Sequence, residues 1–321
     1  MLCSIESVLP LLRCPRTHLP LDLSANDYVC CAGQNDGEPK YQIWDRQPVL
    51  IDYEDSVLTK KIHRNGADTS AVKRRHYSGQ EAFLKDLVSP TPPVVKENID
   101  ILMRSMRAKG KTARVLIVGG GTVGKGTEAL YEADDVGVVA FDIYASPFTQ
   151  FVADAHAIPV QDGQFDAVII QAVLEHVLDP NQVVSEIWRV LKPDGLVYAE
   201  TPFMQQVHEG AYDFTRYTEI GHRYLFRRFT CERSGVLGGP GTQLMWSLDY
   251  FFRALFRSRA AGKVAKLAFF WTQYFDSLMP NDHASDGATG VYFLGQKTNE
   301  ELGPNDIIRF YKGAQRHAPA P

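Results

Sequence analysis

Apolar runs alternate with amphipathic segments between residues 111 and 300, and this alternation constrains the fold more than any other feature of the chain. The predicted strands are the runs 115–118, 136–141, 167–171 and 196–200, and a further run follows at 290–295. Such runs are typical of parallel strands that helices cover on both faces. Residues 180–191 carry apolar side chains on one helical face, as a crossover helix does. The pattern predicts a doubly wound α/β sheet.

Composition narrows the class of protein. The chain has 321 residues, 45% of them hydrophobic, which is enough for one full α/β core with a small accessory region. Its net charge of −4 creates no field that attracts a polyanion, so no nucleic-acid partner is expected. Apolar runs stay below the length of about 18 residues that a membrane span needs, and no signal-peptide pattern is visible. With five cysteines, an odd number, we expect a cytoplasmic, reducing location.

Two regions precede the predicted sheet. Residues 1–55 are predicted to form a small β module that resembles a degraded zinc ribbon, with Cys14 and Cys30 at the positions of paired ligands. Residues that cannot bind zinc stand where the partner cysteines would lie, and a structural zinc site needs a closed set of ligands. We therefore expect no metal. Residues 56–110 are predicted to be a helical linker, and their basic run 73–76 a solvated surface.

Residues 244–279 are predicted to be a helical insertion in the sheet domain, 111–300. They are dense in aromatic side chains, which alternate with arginines and lysines. We expect this stripe to pack as a core, in a lid or in a homodimer contact. The alternative is a basic amphipathic surface that lies against a membrane. Residues 301–321 are predicted to be a loose C-terminal tail because of their glycine, alanine and proline content.

A glycine motif, residues 119–124, directly follows the first predicted strand. Glycine lets the chain turn sharply and lets a ligand approach the backbone, because no Cβ stands in the way. Asp142 ends the second predicted strand, about twenty residues further on, where an acid accepts hydrogen bonds from ribose hydroxyls. Both features point to a nucleoside. They fit nicotinamide and S-adenosylmethionine proteins alike, and a strand-end aspartate that only caps a turn is the structural alternative.

Three further motifs separate these classes. Residues 154–159 read DAHAIP, residues 165–177 read FDAVIIQAVLEHV, and residues 188–195 read WRVLKPDG. With the glycine motif they resemble, in order, the motifs of the class I S-adenosylmethionine-dependent methyltransferases, in particular the type 11 group. The resemblance covers residues 114–203. It implies a seven-stranded, mostly parallel Rossmann-like sheet with an antiparallel edge strand, for which 290–295 is the candidate, and it implies S-adenosyl-L-methionine as the cofactor.

The resemblance also implies which residues bind the cofactor. They are Gly119, Gly121, Gly124, Asp142, Ile143, Asp154, Ala155 and Gln171. Asp154 would accept a hydrogen bond from the adenine amine, and Gln171 would line the methionine end. Glu175 and His176 are not predicted to act as the catalytic base. One departure is Ile117, at a position where the family often carries an acid that orients the cofactor.

The segment after the fourth predicted strand is dense in groups that transfer protons or bind polar ligands. His208 is the candidate general base, because its ordinary pKa of about 6.5 is near working pH. Tyr217 is the second predicted catalytic residue, and the predicted acceptor-binding residues are Tyr212, Asp213 and Arg216. The structural alternative is that Asp213 and Arg216 pair to brace the loop.

The predicted activity is methyl transfer from S-adenosylmethionine by in-line displacement. The expected acceptor is a small molecule, a glycan or a lipid-linked intermediate, and the sequence does not name it. Peripheral membrane contact and a homodimer are further expectations. Two other classes stay open: an NAD(P)-dependent oxidoreductase on a similar sheet, and a nucleotide-binding protein without catalytic activity.

Overall fold

The computed structural model describes residues 1–23, 28–31, 40–60, 87–110 and 112–315. The strands within these ranges are β1 (Leu21–Leu23), β2 (Tyr28–Cys31), β3 (Lys40–Trp44), β4 (Gln47–Leu50), β5 (Ala113–Val118), β6 (Val136–Asp142), β7 (Phe151–Ala153), β8 (Phe165–Gln171), β9 (Leu191–Pro202), β10 (Phe229–Gly238) and β11 (Gly290–Lys297). They form one sheet in the order β1-β2-β3-β4-β7-β6-β5-β8-β9-β11-β10. The basic run 73–76 lies outside the described residues.

The predicted fold class is confirmed in the centre of this sheet. Strands β7, β6, β5, β8 and β9 are all parallel. Strand β11 is antiparallel to β9, and β10 is antiparallel to β11. The antiparallel strand at 290–295 therefore lies one position inside the edge, and β10 forms the edge itself. Chain order reverses between β5 and β8, which is where an open α/β sheet leaves a crevice for a ligand.

The helices of the described residues are α1 (Ile5–Val8), α2 (Pro93–Arg107), α3 (Glu128–Glu132), α4 (Pro180–Val190), α5 (Glu219–Leu225), α6 (Pro240–Leu255), α7 (Arg259–Ala268) and α8 (Asn281–Asp286). Short 3₁₀ segments lie at Leu9–Leu11, Ala155–Ala157, Leu174–His176, Gly210–Tyr212, Phe270–Leu278 and Ile307–Phe310. Asp179 begins α4, because its carboxylate accepts hydrogen bonds from the first two free backbone amides of that helix.

Helices cover both faces of the sheet. Side chains of β5 alternate between two cores: Leu116 packs in the core that includes Ile187 of α4, and Val115 in the core that includes Ile99 of α2. This alternation follows from the strand period of two residues. All four side chains are buried. The long apolar runs in the sequence are therefore strands that have no solvated face.

The N-terminal strands continue the main sheet. Strands β1 to β4 pair antiparallel with one another, and β4 then pairs parallel with β7 through Val49 and Leu50. Cys14 is buried, and its sulfur lies 3.1 Å from the Tyr41 hydroxyl. This thiol packs in the main core as a small apolar side chain. The division of the chain into a separate module at 1–55, a linker and a tail stays a prediction.

The helical insertion exposes much of its apolar surface. Helices α6 and α7 pack against each other and against the segment Phe270–Leu278. Large apolar side chains that are 45 to 76% exposed are Leu244, Phe251, Leu255, Phe256, Val264, Leu267, Trp271, Tyr274, Phe275 and Leu278. The described part of the chain does not cover these side chains, and packing of the stripe in a lid or a homodimer contact stays a prediction. In the described ranges, no helix is long and apolar enough to span a bilayer.

Candidate functional site

The glycine motif forms a tight bend directly after β5. Gly119 has a φ of +75°, a backbone conformation that favours glycine. The backbone N–H of Gly120 donates to the Phe141 carbonyl at 2.9 Å, which holds the bend against the end of β6. A Cβ atom on Gly120 would lie 2.7 Å from the Cβ of Ala140. The bend therefore needs glycine for close approach of two strands as well as for its dihedral angle.

Asp142 lies beside this bend, at the end of β6. Its carboxylate accepts hydrogen bonds from the backbone N–H groups of Gly121, at 2.8 Å, and Ile143, at 2.7 Å. The residue is 9% exposed, so the carboxylate reaches solvent only on one side. Ile143 is 41% exposed and places an apolar side chain next to the acid. The structure brings the predicted ribose acceptor and the glycine bend together.

Asp154 directly follows β7, the neighbour of β6, at the same edge of the sheet. Its carboxylate accepts from the backbone N–H of His156 at 3.0 Å and contacts the ring Nδ1 at 2.6 Å. The Ser56 hydroxyl donates to its other oxygen. Burial favours the neutral carboxyl group, but these hydrogen bonds outweigh burial and lower the pKa of Asp154. Ala155, the first residue of the following 3₁₀ turn, is buried.

Gln171 ends β8 on the other side of the bend. Its side-chain amide donates to Glu200 at 2.9 Å, and Glu200 stands opposite it in β9. The Gln171 oxygen occupies the space where a Cβ on Gly124 would stand. Burial raises the pKa of Glu200, although hydrogen bonds from Tyr198 and Gln171 oppose the shift. Sequence reasoning did not select Glu200 as a site residue, but the parallel ends of two adjacent strands would have indicated it.

Tyr144 covers the glycine bend. Its hydroxyl lies where a Cβ on Gly121 would stand, close to the Asp142 carboxylate. The side chain is half-buried and belongs to none of the core clusters found in the described residues. A nucleoside bound at Asp142 and the glycine bend would meet this ring. No pattern in the sequence indicates this contact, because it depends on the rotamer of one side chain in the turn after β6.

A second group of side chains lies where β8 and β9 lead into their loops. Glu175 belongs to the 3₁₀ turn after β8, and its carbonyl accepts from the Phe214 N–H at 2.8 Å, which ties the two loops together. The Glu175 side chain is 1% exposed, and burial raises its pKa to about 8. Its Oε1 lies 3.6 Å from Nε2 of His176 and 3.8 Å from Nε2 of His208. The predicted base His208 thus lies beside a buried acid.

The loop that carries His208 is braced from within. Arg216 pairs with Asp213 through its two terminal guanidinium nitrogens, and its Nε donates to the Gln205 carbonyl at 3.0 Å. Asp213 in turn accepts from the His208 N–H at 2.9 Å. Burial opposes ionisation of Asp213, but the guanidinium beside it lowers the pKa of this carboxyl far below its ordinary value. These contacts support the structural alternative, in which the pair braces the loop.

The two predicted tyrosines lie differently. The Tyr212 carbonyl oxygen is 2.7 Å from Nδ1 of His176, so this residue reaches the group through its backbone. Tyr217 packs against the main core and against His222, with ring centroids 6.2 Å apart. Burial raises the pKa of Tyr217 and lowers that of His222 to about 3. The catalytic role of Tyr217 stays a prediction.

Comparison with known proteins gives a family match in the centre of the sheet. Residues 116–199 match the sequence model of a family described as "Methyltransferase domain". A ubiquinone/menaquinone biosynthesis C-methyltransferase from Geobacter sulfurreducens is 44% identical over 57 residues, which is 18% of this chain and 22% of that protein. An uncharacterized 37.1 kDa protein in a Streptomyces fradiae transposon is 39% identical over 51 residues, 16% of this chain and 15% of that protein. The matches therefore span less than a quarter of these curated relatives.

Solved structures with a similar arrangement are more distant in sequence. One is a putative sarcosine dimethylglycine methyltransferase from Galdieria sulphuraria, 15% identical, with 68% of this chain and 98% of that chain covered and a TM-score of 0.40. Another is 1,6-didemethyltoxoflavin-N1-methyltransferase from Burkholderia thailandensis, 14% identical, with 87% and 99% covered and a TM-score of 0.40. The similarity to the methyltransferase domain lies in residues 116–199.

Proposed function

We propose that this chain, whose residues 116–199 belong to the methyltransferase domain family, transfers a methyl group from S-adenosylmethionine to a small-molecule acceptor. One observation carries the proposal. The glycine bend after β5 and the carboxylate after β6 are joined by a hydrogen bond of 2.8 Å between Gly121 and Asp142, at the point where the order of the parallel strands reverses. An adenosyl group binds at such a point in open α/β sheets.

The residues at this edge fit the cofactor. Asp142 would accept hydrogen bonds from the ribose hydroxyls, because a carboxylate oxygen accepts more than one. Ile143 would cover one face of the adenine, since its apolar side chain is exposed beside the acid. Asp154 and Ala155 would meet the adenine edge, and Gln171 would line the methionine end. Ile117 stands where the family often carries an acid that orients the cofactor. Its side chain is buried next to Gly120, so this position offers the cofactor no carboxylate.

S-adenosylmethionine supplies an electrophilic methyl carbon, and the protein has to align an acceptor with it and keep water out. The candidate acceptor region is the loop from His208 to Tyr217, which follows the carboxyl end of β9. His208 would remove a proton where the acceptor carries one. A more specific form of this proposal is that the methyl acceptor is a glycan or a lipid-linked molecule. The exposed apolar surface of residues 251–278, with its basic neighbours, supports contact with a membrane or with a second copy of the chain.

Titration calorimetry with S-adenosylmethionine tests the cofactor site. We expect Asp142→Asn to weaken binding about 10- to 100-fold, because a hydrogen bond to a charged group contributes about 1.5–3 kcal/mol. Asp166→Asn is the matched control. Asp166 also accepts a backbone N–H, from Arg114, but it lies at the opposite end of the parallel strands. Equal affinity of the Asp142 variant and the wild type would contradict the proposal, and tighter binding of NADH would favour an oxidoreductase.

The acceptor is identified by a separate experiment. Cell extract is incubated with the protein and S-adenosylmethionine that carries an isotopically labelled methyl group, and small molecules are then analysed by mass spectrometry. We expect a labelled product with wild-type protein and none with Asp142→Ala. Cofactor binding without any labelled product in extracts of varied source would favour a nucleotide-binding protein without catalytic activity.

A further inference from the structure

The Glu175 carboxylate is buried, and no other residue donates a hydrogen bond to it. The side chain is 1% exposed, and apart from the N–H of its own backbone neither oxygen has a hydrogen-bond partner. A buried polar atom that is left unsatisfied destabilises the folded chain, and a charged group does so more strongly. The two nitrogens that approach Oε1 are Nε2 of His176 and Nε2 of His208. The geometry of these two rings decides whether they can satisfy the carboxylate.

Both histidines hold their other ring nitrogen against an acceptor. Nδ1 of His176 lies 2.7 Å from the Tyr212 carbonyl oxygen, so Nδ1 carries the hydrogen in the neutral ring. Nδ1 of His208 lies 3.4 Å from a carboxylate oxygen of Asp213 and 3.4 Å from the Gln206 carbonyl. In this tautomer each Nε2 presents a lone pair. Three acceptor atoms, one oxygen and two nitrogens, therefore face one another.

A proton does not resolve this arrangement. A protonated Glu175 would donate to one histidine, but the 3.6 and 3.8 Å separations are longer than a hydrogen bond from a hydroxyl, about 2.5–3.0 Å. The second Nε2 would still have no donor. A cation at the centre of the group satisfies all three atoms at once. With metal–ligand bonds of about 2.0–2.1 Å, ligand atoms around a tetrahedral ion stand about 3.4 Å apart, close to the separations found here.

We propose that Glu175, His176 and His208 form a binding site for a divalent transition-metal ion of the zinc type, with Oε1 and the two Nε2 atoms as ligands. In the described part of the chain, this is the group of three such residues whose ligand atoms all lie within 4.8 Å of one another. Imidazole nitrogen and carboxylate oxygen suit zinc, and three protein ligands leave a position open. The sequence-based expectation of no metal is replaced by this proposal.

The surroundings match those of known metal ligands. Metal-bound histidines usually donate their second ring N–H to a carbonyl or a carboxylate, as His176 does to Tyr212 and as His208 is placed to do toward Asp213. Arg216 fixes Asp213 in turn. The charged neighbours of Glu175 are Glu209, Asp213 and Arg216. Together with Glu175 they carry three negative charges and one positive charge when ionised, which favours a divalent cation.

The site is open on the side of the histidines. Their side chains are 21 and 26% exposed, whereas Glu175 closes the inner side. The open position lies at the carboxyl edge of the sheet, next to the loop assigned to the acceptor. If the proposed methyl transfer holds, an acceptor with a hydroxyl or carboxylate oxygen would bind the ion there. Metal binding itself does not depend on that activity.

Metal titration of the full chain tests the proposal. Protein freed of metal with a chelator is titrated with Zn²⁺ in a calorimeter and with Co²⁺ in an absorption spectrometer, without S-adenosylmethionine. We expect one ion per chain, with visible Co²⁺ bands of a nitrogen- and oxygen-ligated ion. His208→Ala and Glu175→Gln should each weaken binding at least about 100-fold, because each loses a direct ligand. His208 is partly exposed, so its variant is expected to fold, and far-ultraviolet circular dichroism checks this.

His283→Ala is the matched control, because it removes a histidine that is exposed on α8, away from the group. We expect it to bind Zn²⁺ as the wild type does. Zn²⁺ should also raise the midpoint of thermal unfolding of the wild type and the control, but not of the two ligand variants. Equal Zn²⁺ affinity in the wild type and the His208 variant would overturn the site. So would binding that is lost only in His283→Ala. Because no cofactor is present, failure here leaves the Asp142 test unaffected.

Discussion

Carboxylates at one edge of the sheet differ in how their oxygens are satisfied. Asp142 and Asp154, after β6 and β7, each accept hydrogen bonds from at least two donors of the chain itself. Glu175, after β8, is more deeply buried, and no other residue donates a hydrogen bond to its carboxylate. The aspartates therefore keep their positions through the fold alone. The fold places the Glu175 carboxylate in a buried position but does not supply the hydrogen bonds from other residues that would stabilise it there. This is expected of a group that binds a ligand.

The difference divides the edge into two halves. On the side of Asp142 and Asp154, the proposed nucleoside would add to hydrogen bonds that exist without it, and the side chain of Tyr144 would have to move. On the side of Glu175, a bound ion would satisfy three acceptor atoms that face one another in its absence. Substitutions on the two sides should therefore change stability in opposite directions.

The largest effect on stability is expected on the side of Asp142 and Asp154, whose carboxylates accept hydrogen bonds from the chain. Asp154→Ala should lower the free energy of unfolding by about 3 kcal/mol, because hydrogen bonds from His156 and Ser56 to a buried charged group are lost together. Urea unfolding followed by circular dichroism measures the change. Asp162→Ala is the control, since its salt bridge with Arg189 involves a carboxylate that is 76% exposed, and it should cost less than about 1 kcal/mol. Equal losses in both variants would remove the distinction between the aspartates.

A smaller effect on stability is expected at His222. Its side chain is buried with an unpartnered ring nitrogen, as Glu175 is with its oxygens, but it does not belong to a cluster of possible metal ligands in the described residues. Its Nε2 has no hydrogen-bond partner, and the ring packs against Phe226. Burial lowers its pKa from an ordinary value of about 6.5 to about 3. Below pH 6.5 the unfolded chain binds a proton that the folded chain excludes, so stability falls as pH falls. Between pH 6.5 and 5 the loss should be about 2 kcal/mol.

Comparison of the wild type with His222→Phe isolates this loss, because the other titrating groups are common to both proteins. Urea unfolding at several pH values should give a difference in stability that changes by about 2 kcal/mol across this range, in favour of the variant at low pH. A difference that does not depend on pH would mean that His222 takes up its proton in the folded protein.

The smallest effect is expected at Glu175, with the opposite sign to that at Asp154. In chelator, Glu175→Gln should raise the free energy of unfolding by about 1 kcal/mol, because a neutral amide costs less to bury than a carboxylate. The measurement is urea unfolding at pH 7.5. A loss of stability would indicate that the carboxylate is satisfied in solution, and the contrast between the two halves of the edge would fail.

Much of the central sheet follows from the sequence. Buried parallel strands need apolar side chains on both faces, so β5, β6 and β8 are visible as apolar runs. The glycine bend and Asp142 could be identified because local geometry requires those residue types at the ends of strands. The predicted strand 196–200 lies within β9, which begins earlier, at Leu191.

Other features depend on contacts between distant segments. The pairing of β4 with β7 joins Leu50 to Ala153, and nothing local to either strand indicates it. Strand β11, which is predicted to be the edge strand, is the second strand from the edge. Its outer side pairs with β10, Phe229–Gly238. The meeting of Glu175 with His208 depends on how one loop folds over another, as does the position of Tyr144 over Gly121. Such features follow from tertiary packing, which sequence periodicity does not encode.

A crystal structure with S-adenosylhomocysteine tests the central claim most directly. The account predicts ribose hydroxyls within hydrogen-bond distance of the Asp142 carboxylate and the Tyr144 ring displaced from Gly121. A ligand that binds elsewhere on the chain, with Tyr144 still against Gly121, would contradict it.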